Sequence, residues 1–422
     1  MPSRSFFTLA AFSLVALAQQ PKADPPKVVA GIPVNYDEAL VGDYILPDPL
    51  VLANGKPVKD AKTWITKRRP EIVKLFEANQ YGRAPGRPAA MSFDVFDKGT
   101  PAFDGKALRR QVTVYFSADK AGPKMDLLVY LPAGATKPVP LLLNISFTAN
   151  SSVVDDPGVK PGEIWGRDKK RVPAAGGRSF GKFPVMSFVE KGIGVATVYY
   201  GDIDPDFDGG VGLGVRSLYP APKPDEWGTI SAWAWGLSRA VDYLETDKGV
   251  DAKRIAIFGV SRLGKTVMWA GAHDERIAMV IASCSGEGGA ALARRNYGET
   301  VKHMAARFGY QFAGNYASYG DSVDKMPVDA NMLVALIAPR PVLLQTGTTD
   351  LWSDPKGEFL AAVAAAPVFK LLGKQGLDTD KMPPPGESIL HTIGYHEHVG
   401  GHGTVPADYE VFRKFIEMHF KP

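Results

Sequence analysis

The apolar run Arg254-Ile-Ala-Ile-Phe258 leads directly into Gly259-Val-Ser-Arg-Leu-Gly264 and then into Lys265-Thr-Val-Met-Trp269. This order reads as a buried strand, a sharp glycine-flanked turn and a helix beginning at Lys265, the context that lifts a serine clear of a sheet. Gly259 permits a strained turn, and Gly264 lets the helix pack close behind it. The strict pattern G-x-S-x-G differs in one place: Leu263 holds the final position and glycine follows one residue later. A serine hydroxyl is a weak nucleophile alone, so Ser261 needs a base and an orienting acid from elsewhere in the chain.

The rest of the sequence supplies a matching frame. Apolar, β-branched runs recur at 111–116, 125–130, 139–144, 194–199, 277–282, 341–345 and 388–393. Several are apolar at nearly every residue, as expected of strands covered on both faces. Between them lie helical stretches, notably 230–244, which is apolar at helical spacing. The first two runs fit an antiparallel hairpin and the later ones alternate with helices. The expected fold is therefore α/β, a three-layer αβα sandwich with a mostly parallel central sheet and antiparallel N-terminal strands. No repeat or low-complexity linker divides residues 29–422, which are expected to form one domain. Gly/Pro-rich insertions at 155–184 and 207–227 have the size of loops that shape a binding site.

Bulk properties exclude several classes. A net charge of +4 over 422 residues, with no block of like charge, leaves no footprint for nucleic acid. Arg4, an apolar stretch over 6–17 and Ala16-Leu-Ala18 form a signal peptide at 1–18, cleaved after Ala18, with a disordered leader at 19–28. The apolar stretch is too short to span a bilayer. The expectation is an exported protein with no membrane association, acting as a monomer. Cys284 is the only cysteine, so no intrachain disulfide forms. Asn144-Ile-Ser and Asn150-Ser-Ser match the glycosylation pattern by chance.

Candidate partners for Ser261 follow in chain order. Residues 341–350 read as a strand ending in a loop that carries Asp350, and Gly394-Tyr-His-Glu-His-Val-Gly-Gly-His402-Gly reads as a glycine-rich loop after the final strand. The order Ser261, Asp350, His402 is that of α/β-hydrolases. His402 would take the serine proton and Asp350 would hold the imidazole tautomer. His396 and His398 read as loop histidines bonded to backbone. The spacing H-x-H-x-x-x-H, with Glu397 or Asp408 nearby, also suggests a metal, but that reading leaves the serine turn unexplained. Asp202-Ile-Asp-Pro-Asp-Phe-Asp208 fails as a calcium loop, with Phe207 and Leu213 where glycine and glutamate belong; some of its acids are expected to rim the cleft. The N–H of Arg262 is the expected oxyanion donor, and its guanidinium and Lys265 place two cations at the nucleophile. Such a pair suits an acidic or hydroxyl-rich substrate.

These residues carry a resemblance. Gly-Val-Ser261-Arg262-Leu-Gly-Lys265, Cys284-Ser-Gly-Glu-Gly-Gly289, Asn296-Tyr-Gly-Glu299, Asp350-Leu-Trp352-Ser-Asp-Pro355 and Gly-Gly-His402-Gly together resemble the glucuronoyl esterases of carbohydrate esterase family 15. Tyr199-Tyr-Gly-Asp-Ile-Asp-Pro205 adds upstream similarity. The resemblance implies cleavage of the ester between a (4-O-methyl-)glucuronic acid branch of xylan and a lignin alcohol, without cofactor or metal. It implies Ser261 as nucleophile, His402 as base, Arg262 as oxyanion helper, and Lys265, Glu299 and Trp352 as holders of the sugar. Many members carry the acid as glutamate immediately before S-G-x-G-G, and here that place is Cys284. The acid is then expected from Asp350, with Glu287 as the second candidate. Other readings are an exported acetyl-xylan-type esterase, a non-catalytic glucuronoxylan-binding homologue and, more weakly, a prolyl-oligopeptidase-like peptidase.

Overall fold

The structure, a computed structural model, describes residues 25–174 and 182–421. The expected signal peptide and most of the leader lie outside the described residues. The chain builds a ten-stranded sheet from β1 (Ser92–Ala102), β2 (Ala107–Tyr115), β3 (Lys124–Pro132), β4 (Val139–Ser146), β5 (Gly194–Tyr199), β6 (Val250–Val260), β7 (Met279–Ser283), β8 (Val342–Gly347), β9 (Ser388–Leu390) and β10 (Ile393–His398). Spatial order is β9-β10-β8-β7-β6-β4-β5-β3-β2-β1. Strands β4 to β8 and β10 pair in parallel, while β1, β2, β3 and β9 are antiparallel to their neighbours. This is the α/β-hydrolase arrangement expected from the alternation of apolar runs and helices.

The strand period of two explains why the central strands are apolar throughout. Leu141, Leu143, Ile255, Ile257, Val280 and Ala282 face one core, which is closed by helices α1 (Thr229–Leu244), α2 (Arg262–His273) and α4 (Pro355–Leu371). Their neighbours Leu142, Ala256, Phe258, Met279 and Ile281 face the other, closed by α5 (Pro406–His419) and the short helix Val185–Val189. Helix α3 (Val301–Phe308), in the long connection from β7 to β8, adds Val301 and Met304 to the first core. No helix among the described residues is long and apolar enough to cross a membrane.

Three readings of the sequence need correction. The edge strand β1 was not anticipated, because its exposed, polar-rich alternation carries little apolar signal. The run at 388–393 is not the last strand: Ser388–Leu390 is a short antiparallel edge, and the histidine-bearing stretch Ile393–His398 is the terminal parallel strand, buried along its whole length. Helix α2 begins at Arg262, directly after Ser261, and not at Lys265. The turn is therefore tighter than the sequence suggests, and the first N–H groups of α2 lie beside the serine.

Candidate active site

Ser261 directly follows β6 at φ 60° and ψ −128°, a strained conformation for a residue with a side chain. Its N–H donates to the Ser283 carbonyl at 2.8 Å, which ties the turn to the end of β7. A Cβ on residue 259 would lie 2.3 Å from the Leu263 carbonyl oxygen, and one on residue 264 would lie 2.8 Å from that of Ser283. The close approach thus falls at 264, while Leu263 is free to bury its side chain in the core. That accounts for the displaced glycine.

Arg262 points its guanidinium at Asp206 and lies 4.9 Å from the centre of the Phe308 ring. Burial alone would lower its pKa, but Asp206 carries it above the ordinary arginine value. Asp206 also accepts from the Tyr310 hydroxyl at 3.0 Å and the Gln311 amide at 2.6 Å. The acidic run thus has a structural explanation: Asp202 pairs with Arg171, Asp204 with buried Arg216, and Asp206 aims Arg262. Burial raises Asp202 and Asp204 each to about 6.

The loops after β8 and β10 bring the other two members together. Thr348 N–H donates to the His398 carbonyl at 3.0 Å, and Thr349 N–H to the Gly400 carbonyl at 2.8 Å. This holds Asp350 Oδ2 2.7 Å from His402 Nδ1, with the aspartate buried and the imidazole open to solvent. No hydrogen bond joins Ser261 to His402 among the described residues; catalytic contacts of this kind often tighten only when substrate binds. Glu287, the second candidate acid, turns away and accepts from the Tyr316 hydroxyl at 2.9 Å. Burial raises its carboxyl to about 8, so it stays protonated at neutral pH.

Cys284 lies beside the pair. Its thiol accepts from Gly403 N–H at 3.5 Å, and burial, with the Asp350 charge behind it, pushes it well above the usual thiol range. His396 and His398 sit on β10, not in a loop, and both turn to buried Asp408. His398 Nδ1 lies 2.9 Å from Asp408 Oδ2, and His396 Nε2 lies 3.2 Å from Oδ1. His398 Nε2 meets the Gly401 carbonyl at 2.9 Å, so both of its nitrogens are engaged. Among the described residues, His396, His398 and His402 do not converge on one metal position.

On the α2 side of Ser261, Lys265 Nζ donates to the Ser285 carbonyl at 2.6 Å and to Glu299 Oε1 at 2.9 Å. Glu299 N–H donates to the Trp352 carbonyl at 2.8 Å, which brings the Trp352 backbone beside the Lys265–Glu299 pair, while the indole lies 5.2 Å from the His303 ring. Two of the three lysine donors are committed, and one remains. On the other side His402 lines a cavity of about 680 Å³ with Phe147, Phe183, Phe258, Val260 and Tyr409.

Glu358 on α4 gave no signal in the sequence, since a glutamate in a helix reads as a surface residue. It is fully buried; its Oε1 accepts from Gly286 N–H at 2.7 Å and the Ser285 hydroxyl at 3.1 Å, while Oε2 has no partner among the described residues. Burial raises it to about 8. A folded-state pKa above the unfolded value of about 4.3 means that the folded chain keeps a proton the unfolded chain releases. Stability from this group is full below that lower value and falls as pH rises towards about 8. His398, raised chiefly by its bond to Asp408, acts in the same direction at its upper end. Between pH 5 and 8, thermal stability is expected to decline, and Glu358→Gln should flatten the decline by about 1 kcal/mol or more. Parallel Tm–pH curves for the two proteins would refute this.

Comparison with known proteins agrees with the geometry. The family described as "Glucuronyl esterase, fungi" matches residues 186–373. The chain is 44% identical over 398 residues to the carbohydrate esterase MZ0003 of an unknown prokaryotic organism, covering 91% of this chain and 92% of that one. It is 28% identical to the 4-O-methyl-glucuronoyl methylesterase of Schizophyllum commune, over 94% of this chain and 86% of the relative. The solved structure of a glucuronoyl esterase from Solibacter usitatus superposes with a TM-score of 0.87 at 46% identity, covering 90% of this chain and all of that one. With the strained turn at Ser261, the His–Asp pair and this similarity along nearly its full length, the chain belongs to the glucuronoyl esterases of carbohydrate esterase family 15.

Proposed function

We propose that this protein hydrolyses esters of (4-O-methyl-)glucuronic acid, as in linkages between glucuronoxylan and lignin alcohols, after export from the cell. The observation that carries the reading is the Lys265–Glu299 pair one helical turn from Ser261, with Trp352 bonded to Glu299 through its backbone, together with a cavity of aromatic lining that His402 shares. These residues offer a cation, a carboxylate and an indole to the hydroxyls and apolar face of a uronate ring. An acetyl group would need none of these.

In the proposed mechanism Ser261 Oγ attacks the uronate carbonyl while His402 takes its proton, with Asp350 stabilising the imidazolium. The tetrahedral oxyanion forms between the Arg262 N–H, at the start of α2, and the guanidinium held by Asp206. His402 then gives its proton to the departing alcohol, so the alcohol lies on the side of the cavity. Water activated by His402 releases the glucuronoyl group from Ser261.

Incubating wild-type protein with benzyl glucuronoate should release benzyl alcohol and glucuronic acid in equal amounts; absence of turnover would overturn the reading. The cavity adds a second expectation. Tyr409 packs 5.3 Å from Phe183 in the cavity wall. Tyr409→Ala should lower kcat/KM for the benzyl ester relative to the methyl ester about 3- to 10-fold, the value of one aromatic contact. An unchanged benzyl-to-methyl ratio would place the alcohol elsewhere.

A further inference from the structure

Cys284 has no role in the proposed mechanism, yet its Sγ, a carboxylate oxygen of Asp350 and a ring nitrogen of His402 all lie within 4.8 Å of one another. We propose that these three residues form an inhibitory site for a thiophilic divalent cation such as zinc or cadmium. The donor set of one sulfur, one imidazole nitrogen and one carboxylate oxygen is that of a zinc site with an open fourth position. Bond lengths of about 2.3 Å to sulfur and about 2.0 Å to nitrogen put tetrahedral ligands about 3.5 Å apart. The cluster needs only a modest contraction to reach that spacing, and His402, at the solvent-exposed mouth, is the member able to move. Buried Cys284 and Asp350 form the floor, and the open imidazole marks the entry path.

Binding exchanges ligands without redox change. The Cys284 S–H bond breaks, its proton passes to solvent, and a sulfur–metal bond forms as water leaves the cation. A metal on either nitrogen of His402 disables the base. On Nε2 it occupies the lone pair that would take the serine proton; on Nδ1 it takes the place of the ring proton held towards Asp350, which passes to Nε2 and fills that same lone pair. The site is therefore a brake on the esterase and not a cofactor site.

Since Cys284 is the only cysteine, any thiolate-to-cadmium absorption band reports this residue alone. Titrating the wild-type protein with cadmium should produce that band and saturate at one ion per chain, and Cys284→Ser and Cys284→Ala should lack it. Zinc should inhibit benzyl glucuronoate hydrolysis, a chelator should reverse the inhibition, and both variants should need about 100-fold more zinc for the same effect. A wild-type protein without the band, or equal zinc sensitivity in the variants with Tm values confirming their fold, would overturn the proposal. The inhibition readout rests on the proposed function, whereas the band does not. A chain that binds cadmium but leaves the uronate ester intact would count against the function alone.

Discussion

Ser261→Ala is expected to lower kcat/KM for a glucuronoyl ester by about 10⁴- to 10⁶-fold, the range seen when a nucleophile that works as part of a unit is removed. The residual rate would come from the oxyanion donors and binding alone. Alanine fits the same turn, and Ser261 Oγ makes no hydrogen bond to the described residues, so Tm should stay essentially unchanged. A folded Ser261→Ala protein with undiminished hydrolysis would show that the strained turn at φ 60° serves packing and not chemistry.

The second large effect concerns the acid. Asp350→Asn should lower kcat by about 10⁴-fold, because an amide facing Nδ1 favours the wrong imidazole tautomer. The geometry makes a further demand. Cys284 stands within 4.8 Å of both Asp350 and His402, so a carboxylate introduced there reaches the same imidazole. Cys284→Glu in the Asp350→Asn background should recover at least about 10-fold of the lost rate, measured on the same ester. Loss without any recovery would mean that the two positions are not interchangeable, and activity unaffected by Asp350→Asn would remove Asp350 from the mechanism.

The legible part of this fold is the part written in apolar periodicity. The run before Ser261, the later strands and α1 are continuous or helically spaced in hydrophobic residues, and they occupy the buried centre of the sheet. The chain order of serine, aspartate and histidine followed from the loops that end those strands. What stayed illegible depends on polar residues finding partners distant in sequence. The final strand β10 looks like a loop because its histidines are polar, and their burial is made tolerable by Asp408 on one nitrogen of each, with the Ser388 hydroxyl and the Gly401 carbonyl on the others. The acidic run at 202–208, which already fails as a calcium loop, gives no sign of the Arg171, Arg216 and Arg262 that reach it from three other segments. Glu358 carries no sequence sign of lying under the 285–286 turn, because a helix period does not reveal which exposed-looking residue is covered by another element.

The assignment of Lys265, Glu299 and Trp352 to the sugar separates a uronate esterase from a general one. Glu299 accepts from Lys265 on Oε1 and takes no bond on Oε2 from the described residues, which leaves that oxygen for a substrate hydroxyl. Glutamine keeps the shape and removes the charge that strengthens such a bond. The most direct test is the ratio of kcat/KM for benzyl glucuronoate to that for p-nitrophenyl acetate, in wild type and in Glu299→Gln. The expected wild-type ratio is well above one and falls about 10- to 100-fold in the variant, mainly through the uronate ester. A wild-type ratio below one, or a ratio that Glu299→Gln leaves unchanged, would contradict it.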